Sequence, residues 1–155
     1  MVSDTHASDI DELSPEILDA LRGVDLVVHA GDFTRRSVLE GLRRLGNFIG
    51  VHGNCDEAWL RKELPEKQVL DIAGKRVGIT HGYGPPVGLE QRVAQELPGA
   101  EVIIYGHSHV PRCESIHGVL YFNPGTSGER FTAAYRSFGI ITIGRDITGE
   151  IIRLR

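Results

Sequence analysis

The sequence predicts an α/β domain built as a four-layer α-β-β-α sandwich, two mixed sheets packed together and flanked by helices. Three observations carry that expectation. Short β-branched runs alternate with amphipathic segments of helical length through the first half, the pattern of βαβ units. The last third instead carries closely spaced strand-like runs, which calls for antiparallel pairing. Several apolar runs end abruptly in Gly and polar residues, as buried strands do when they deliver loops to one sheet edge.

In chain order, only Met1-Val2-Ser3 precede the first polar segment, Asp4-Thr5-His6. That is too few for a central strand of ordinary length, so either this strand is short or the natural chain begins further upstream. Ser14 and Pro15 open the first helix as N-cap and first helical residue. Ile17, Leu18 and Leu21 recur at helical spacing, and Gly23 stops the helix. Leu26-Val27-Val28 is a strand leading to Ala30-Gly31-Asp32. Thr34 stands where it could cap a second helix, with Val38, Leu39, Leu42 and Leu45 on one face. Phe48-Ile49-Gly50-Val51 runs to Gly53-Asn54-Cys55-Asp56, and Arg76-Val77-Gly78-Ile79-Thr80 runs to His81-Gly82. Leu89, Val93, Ala94 and Leu97 mark a third helix, ended by Pro98-Gly99. Val102-Ile103-Ile104-Tyr105 then delivers Gly106-His107-Ser108-His109. Val119-Leu120-Tyr121-Phe122, residues 137–143 and residues 150–154 complete the strands, with a hairpin turn between Gly144 and Gly149. Repeats, linkers and low-complexity segments are absent, so the expectation is one domain over residues 1–155.

Bulk composition narrows the function. The chain is 41% hydrophobic and 25% charged, ordinary values for a globular protein with a real core. A formal charge of −4 offers no basic footprint for duplex nucleic acid. No apolar stretch approaches the ~18–20 residues that span a bilayer. The N-terminus lacks the basic start and apolar core of a signal peptide. Cys55 and Cys113 are too few for a disulfide framework. A cytoplasmic protein that binds neither duplex nor membrane is expected.

The polar segments at the strand ends supply Asp4, His6, Asp32, Asn54, His81, His107 and His109. Packing does not explain seven such groups. Asp4 and His6 are two apart, which in an extended strand puts both on one face and lets them converge on one ion. His107 and His109 repeat that spacing. Asp32 can bridge two cations, Asn54 offers an amide oxygen, and His81 a further imidazole. Such mixed ligation suits Mn2+, Zn2+, Fe2+, Ni2+ or Mg2+. Two metals ~3.5–4 Å apart can clamp a phosphoryl group and deprotonate a water at neutral pH. The expected cofactors are therefore two divalent metal ions, in an order of preference that the donors alone do not fix.

This ordered series resembles the calcineurin-like metallophosphoesterase superfamily, and more narrowly its small bacterial and archaeal phosphodiesterases related to the retromer scaffold subunit. Asn123-Pro124-Gly125-Thr126 is similar to that subfamily's Asn-Pro-Gly-Ser turn. The resemblance covers essentially the whole chain. It implies a first metal held by Asp4, His6, Asp32 and His109, with Asp32 bridging to a second held by Asn54, His81 and His107. A water or hydroxide between the metals would attack phosphorus in line, with a small phosphodiester as substrate. It also implies self-association as a homodimer or homotetramer. Asp32, Asn54, His107, Cys55 and Asp56 are the expected catalytic residues.

The sequence departs from the family at Cys55, where many relatives carry a His that binds the phosphate and protonates the leaving group. A thiol titrates near ~8.5 and donates weakly. Losing such an acid costs ~10²–10⁴-fold, which favours diesters with good leaving groups. The subfamily often carries Cys here and still hydrolyses esters. Asp56 is expected to orient His6 or His109. His29 and His52 are expected to pack or support rather than ligate, and Arg35 and Arg36 to lie on an exposed helix face. The alternative is a non-catalytic protein-binding scaffold that keeps the fold, but a scaffold has no reason to keep all seven donors.

Overall fold

A computed structural model describes residues 1–128 and 135–154. Its elements in order are α1 (Pro15–Arg22), β1 (Val27–His29), α2 (Arg36–Leu45), β2 (Phe48–Gly50), α3 (Leu60–Glu63), β3 (Lys67–Ile72), β4 (Lys75–Thr80), α4 (Leu89–Glu96), β5 (Val102–Ile104), β6 (Arg112–Ile116), β7 (Val119–Asn123), β8 (Ser137–Ile143) and β9 (Ile147–Arg153).

Two mixed sheets result. In the first, β1 pairs parallel with β2, and residues 1–3 lie along the other side of β1. Val2 N donates to Val28 O (2.9 Å), and Ala30 N donates to Val2 O (3.0 Å). Met1 N in turn donates to Gly139 O (2.6 Å), and Gly139 N donates to Met1 O (2.9 Å), which brings in β8 and its antiparallel partner β9. The second sheet runs β3-β4-β5-β7-β6, parallel in its middle and antiparallel at both edges.

Strand alternation assigns the layers. Val102 and Ile104 of β5 face the first sheet in a core with Val28, Ala30, Val51, Val77, Ile79 and Phe122. Ile103, between them, packs with Tyr105 against Leu89, Val93 and Leu97 on the α4 side. On the opposite side, Ile17 and Leu21 of α1 and Val38, Leu39 and Leu42 of α2 cover Val2, Val27 and Phe138. This is the four-layer sandwich that the alternating pattern predicts. Among the described residues, no helix is long and apolar enough to cross a membrane.

The differences from expectation have physical causes. Ser14 caps α1 by accepting from Ile17 N (3.3 Å), as expected. Thr34 does not cap α2; it adopts φ 80, and its hydroxyl turns instead toward His6 Nδ1 (3.4 Å). Strands β3 and β6 lie outside the predicted strands. Both are sheet edges rich in Lys, Arg, Gln, Asp and Glu, and such edges are kept polar against stray pairing. The hairpin turn between β8 and β9 is tighter than Gly144–Gly149, because Ile143 already pairs with Ile147.

Candidate metal centre

Every donor expected from the sequence sits just past the C-terminal end of a strand of the two sheets or on the short N-terminal segment. Asp4 N donates to Gly31 O (3.0 Å) and His6 N to Asp32 O (3.2 Å), so the first two donor segments run side by side. Gly106 N donates to His81 O (3.1 Å), which ties the other two. Asp4, His6, Asp32, His107 and His109 all have positive φ, between 45 and 69. Left-handed backbone is uncommon outside Gly and concentrates at functional sites, where surrounding structure enforces it.

Each carboxylate divides its oxygens. Asp4 Oδ2 accepts from Ser3 Oγ (2.6 Å) and from His107 N (3.1 Å). Asp4 Oδ1 faces Nε2 of His109 (3.2 Å), His6 (3.8 Å) and His81 (3.9 Å). Asp32 Oδ1 accepts from Cys55 N (2.8 Å), while Oδ2 faces Nε2 of His81 (3.4 Å) and His6 (3.6 Å). One oxygen of each is thus fixed by the fold and the other points into a shared space. Asp4 Oδ1, His6 Nε2 and His81 Nε2 are buried there without hydrogen-bond partners among the described residues. Orphaned polar atoms of this kind are costly unless something fills the space between them.

The electrostatics agree. Burial alone would raise the pKa of Asp4, but the imidazoles of His109, His6 and His81 outweigh it and hold the carboxyl well below its ordinary range. Asp32 follows the same pattern, with His81 opposing burial, and falls to about 2. For His81, burial opposes charge, yet Asp32 and Asp4 push its pKa up to about 9. Two ionised carboxylates so close together demand positive charge, and a divalent cation supplies more of it than a proton. His81 Nδ1 stands 2.7 Å from Ala30 O. A carbonyl only accepts, so Nδ1 carries the hydrogen and Nε2 is left to ligate. Among the described residues, three donor groups lie close enough to share an ion, namely Asp4, His6 and His109; Asp4, Asp32 and His81; and His6, Asp32 and Cys55. The donor set therefore fits divalent cations.

Asn54 and His107 form an outer, more exposed portion. His107 Nδ1 is 3.1 Å from Asn54 Oδ1, and its Nε2 is 2.8 Å from Gly84 O. The His107 ring lies 5.3 Å from the His81 ring, so this portion is contiguous with the inner donors. Arg61 holds the loop from behind by donating to the carbonyls of Asn54 and Asp56. The exposed Cys55 packs its sulfur against the Asn54 amide (3.3 Å) and lies near His6 and Asp32. Gly53 sits where a Cβ would fall 2.1 Å from Asp32 Oδ1, so a side chain there would displace the carboxylate.

Asp56 corrects an expectation. Rather than bonding to His6 or His109, its carboxylate accepts from three backbone amides. Oδ2 accepts from Asp32 N (3.1 Å) and Gly53 N (2.7 Å), and Oδ1 accepts from Thr34 N (2.7 Å). It is buried, and both of its oxygens accept from backbone, so it braces two donor loops. His29 packs, as expected: its ring stacks on Phe33 at 3.5 Å, Nδ1 accepts from Gly31 N (3.0 Å) and Nε2 meets Thr5 Oγ1 (3.2 Å). Arg35 pairs with Glu57 and Arg36 with Glu40 on the exposed surface. Asn123 Nδ2 donates to Gly106 O (2.9 Å) and Ser108 Oγ (3.1 Å), anchoring the His107–His109 turn. Sequence reasoning missed Ser3 and Thr34, small hydroxyls whose only signal is adjacency to a donor. A cavity of about 210 Å³ opens beside Asn54 and His81, with His52, Arg61 and Tyr83 among its walls.

Comparisons with known proteins bear on this arrangement. The Calcineurin-like phosphoesterase superfamily domain profile matches residues 1–146. A probable metallophosphoesterase of Methanocaldococcus jannaschii is 34% identical over 130 residues, covering 81% of this chain and 66% of that protein. A phosphodiesterase of the same organism is 33% identical over 162 residues, covering 93% and 89%. Among solved structures, vacuolar protein sorting 29 of Cryptosporidium parvum superposes with a TM-score of 0.83 at 25% identity, covering 99% of this chain and 89% of that one. A structure described as a novel archaeal phosphodiesterase superposes with a TM-score of 0.76 at 28% identity, covering 99% and 97%.

Proposed function

The chain belongs to the calcineurin-like phosphoesterase superfamily, and on that premise we propose that it is a dinuclear metal-dependent phosphodiesterase acting on a small phosphodiester. The observation that carries this reading is the convergence of Asp4 Oδ1, His6 Nε2 and His81 Nε2, buried and unpartnered, beside Asp32 Oδ2. In this reading Asp4, His6, Asp32 and His109 hold one divalent ion, and Asp32, Asn54, His81 and His107 hold the other. Mn2+ is the expected occupant, with Ni2+, Zn2+, Fe2+ and Mg2+ as alternatives that the same oxygen and imidazole donors would accept.

When bound, such ions supply Lewis acidity at the phosphoryl oxygens and an activated water at neutral pH. The protein's part is orientation. Asp32 reaches both sets of donors because its Oδ1 is fixed by Cys55 N and its Oδ2 is left free. Ala30 O and Gly84 O fix which nitrogen of His81 and of His107 presents its lone pair. Position 55 carries a thiol, a weak donor to a phosphate oxygen and a poor acid for an alkoxide leaving group. Diesters whose leaving group departs without protonation are therefore the favoured substrates. A cytoplasmic, self-associating protein is part of the same proposal.

The alternative, a protein-binding scaffold, draws on the likeness to vacuolar protein sorting 29. Against it stands the retention of all seven donors with their supporting hydrogen bonds. Metal analysis of the purified protein together with hydrolysis of bis(p-nitrophenyl) phosphate tests the choice. About two equivalents of metal with metal-dependent hydrolysis support the enzyme. Protein that reloads no divalent ion and leaves the diester intact would be a scaffold.

A further inference from the structure

Residues 82–88 connect β4 to α4 and carry three glycines with φ between 77 and 90, at positions 82, 84 and 88. Arg92, on α4, turns its guanidinium back onto this loop. Nε donates to Tyr83 O (2.8 Å), Nη1 to Val87 O (3.1 Å), and Nη2 to Pro85 O. The same guanidinium lies 5.7 Å from the centre of the Tyr83 ring. A rigid fork with five N–H donors can gather three carbonyls in this way; a lysine ammonium, a point charge on a flexible stem, cannot hold them in one plane.

The residue enclosed by those three carbonyls is Gly84, and its own carbonyl turns the other way, to His107 Nε2 (2.8 Å). Because a carbonyl only accepts, Nε2 carries the hydrogen and Nδ1 presents its lone pair beside Asn54 Oδ1, 3.1 Å away. Two lone pairs aimed at one place repel unless a cation or a proton lies between them. We propose that Arg92 is a positioning residue for the second metal ion: by clasping residues 83–87 it fixes the Gly84 carbonyl, and through it the tautomer and ring orientation of His107. The inference rests on the dinuclear reading above. Gly84 also suits this backbone, since φ 79 strains most other residues and a Cβ would fall 3.3 Å from Arg92 Nε.

The test measures metal binding, not turnover. Wild type, Arg92→Lys and Arg92→Met, stripped with chelator, are titrated with Mn2+ while stoichiometry is followed by elemental analysis and coupling between two Mn2+ ions by electron paramagnetic resonance. The expected result is one equivalent bound with wild-type affinity in both variants and the second weakened ~10–100-fold, the usual cost of removing a group that orients a ligating His. The coupled signal should fade in step, and Asn54→Ala should lose the same equivalent. Two equivalents with wild-type affinities in Arg92→Lys and Arg92→Met would overturn the proposal and leave the dinuclear reading standing. A wild type that itself takes fewer than two equivalents would overturn both. A further measurement needs no variant: nitrogen NMR of the metal-free wild type should find the His107 hydrogen on Nε2, and a hydrogen on Nδ1 alone would refute the chain of contacts.

Discussion

Ala30 and Gly84 each offer one carbonyl oxygen to an imidazole, but they stand on different ground. Ala30 is fully buried at the end of β1, held by the ladder to Val2, and it fixes His81. Gly84 lies in a connecting loop, held through its neighbours by a single arginine, and it fixes His107. The same contrast runs through the centre. Asp4, Asp32 and His81 are buried and anchored to sheet backbone, whereas Asn54 and Cys55 are exposed on a turn. One half of the donor set is thus part of the hydrophobic sandwich, and the other is attached to it. Stability and metal affinity should therefore respond differently to substitutions in the two halves.

The largest effect is expected at Asp32, which belongs to both. Asp32→Asn should abolish hydrolysis of bis(p-nitrophenyl) phosphate, by more than the ~10–100-fold lost with a residue that only orients a ligand. Circular dichroism should show a folded protein, and retained activity would refute the bridging assignment. Next comes Asp56, which ties the two halves together through the amides of Asp32, Thr34 and Gly53. Asp56→Ala leaves buried N–H groups unpaired and should cost about 2–4 kcal/mol in urea unfolding; a smaller loss in stability than in metal affinity would mark it as a ligand-orienting group instead.

Acid should act on the buried half first. His29 is neutral inside the core, its pKa pushed by burial from 6.5 down to about 3. Between those values the unfolded chain binds a proton that the folded chain refuses. Through this group, stability in the metal-free protein should therefore fall with falling pH by at most about 1.4 kcal/mol per unit. The stabilisation from His81, raised to about 9, changes only above pH 6.5, while the buried Met1 amino group, pushed from 8.0 down to about 5, adds a slope of the same sign above pH 5. Urea midpoints between pH 6.5 and 4.5 should therefore slope in the wild type and slope less in His29→Asn, the difference being the share of His29. The smallest effect belongs to the exposed half: Cys55→His should raise phosphomonoester hydrolysis several-fold by restoring a leaving-group acid, within the ~10²–10⁴-fold such groups supply. An unchanged rate would place residue 55 away from the leaving group.

Much of this was legible in the sequence, because a buried strand that ends in Gly-Asp or Gly-His advertises both its burial and its loop. The two sheets and three of the helices α1 to α4 could be read that way, as could the place of these polar residues at the strand ends. The edge strands β3 and β6 could not, since their exposed faces carry the same polar residues as a loop. Thr34 looked like a cap because hydroxyl residues before an apolar run usually are, and only the positive φ forced by the neighbouring donor segment turns it toward His6. Asp56 and Arg92 were illegible for a different reason. Each acts on the backbone of other segments, and backbone amides and carbonyls leave no trace in residue identity.

Residues 1–3, wedged between β1 and β8, join parts of the fold that lie far apart in sequence. Met1 is paired to Gly139, Ser3 O accepts from Ser127 N (3.1 Å), and Asp4 O accepts from Thr126 Oγ1 (2.7 Å). Asp4 is thus tied on one side to Gly31, after β1, and on the other to Thr126, so its backbone is held from both sides only once the C-terminal part of the chain has docked. Completion of the candidate site is in this way coupled to completion of the fold.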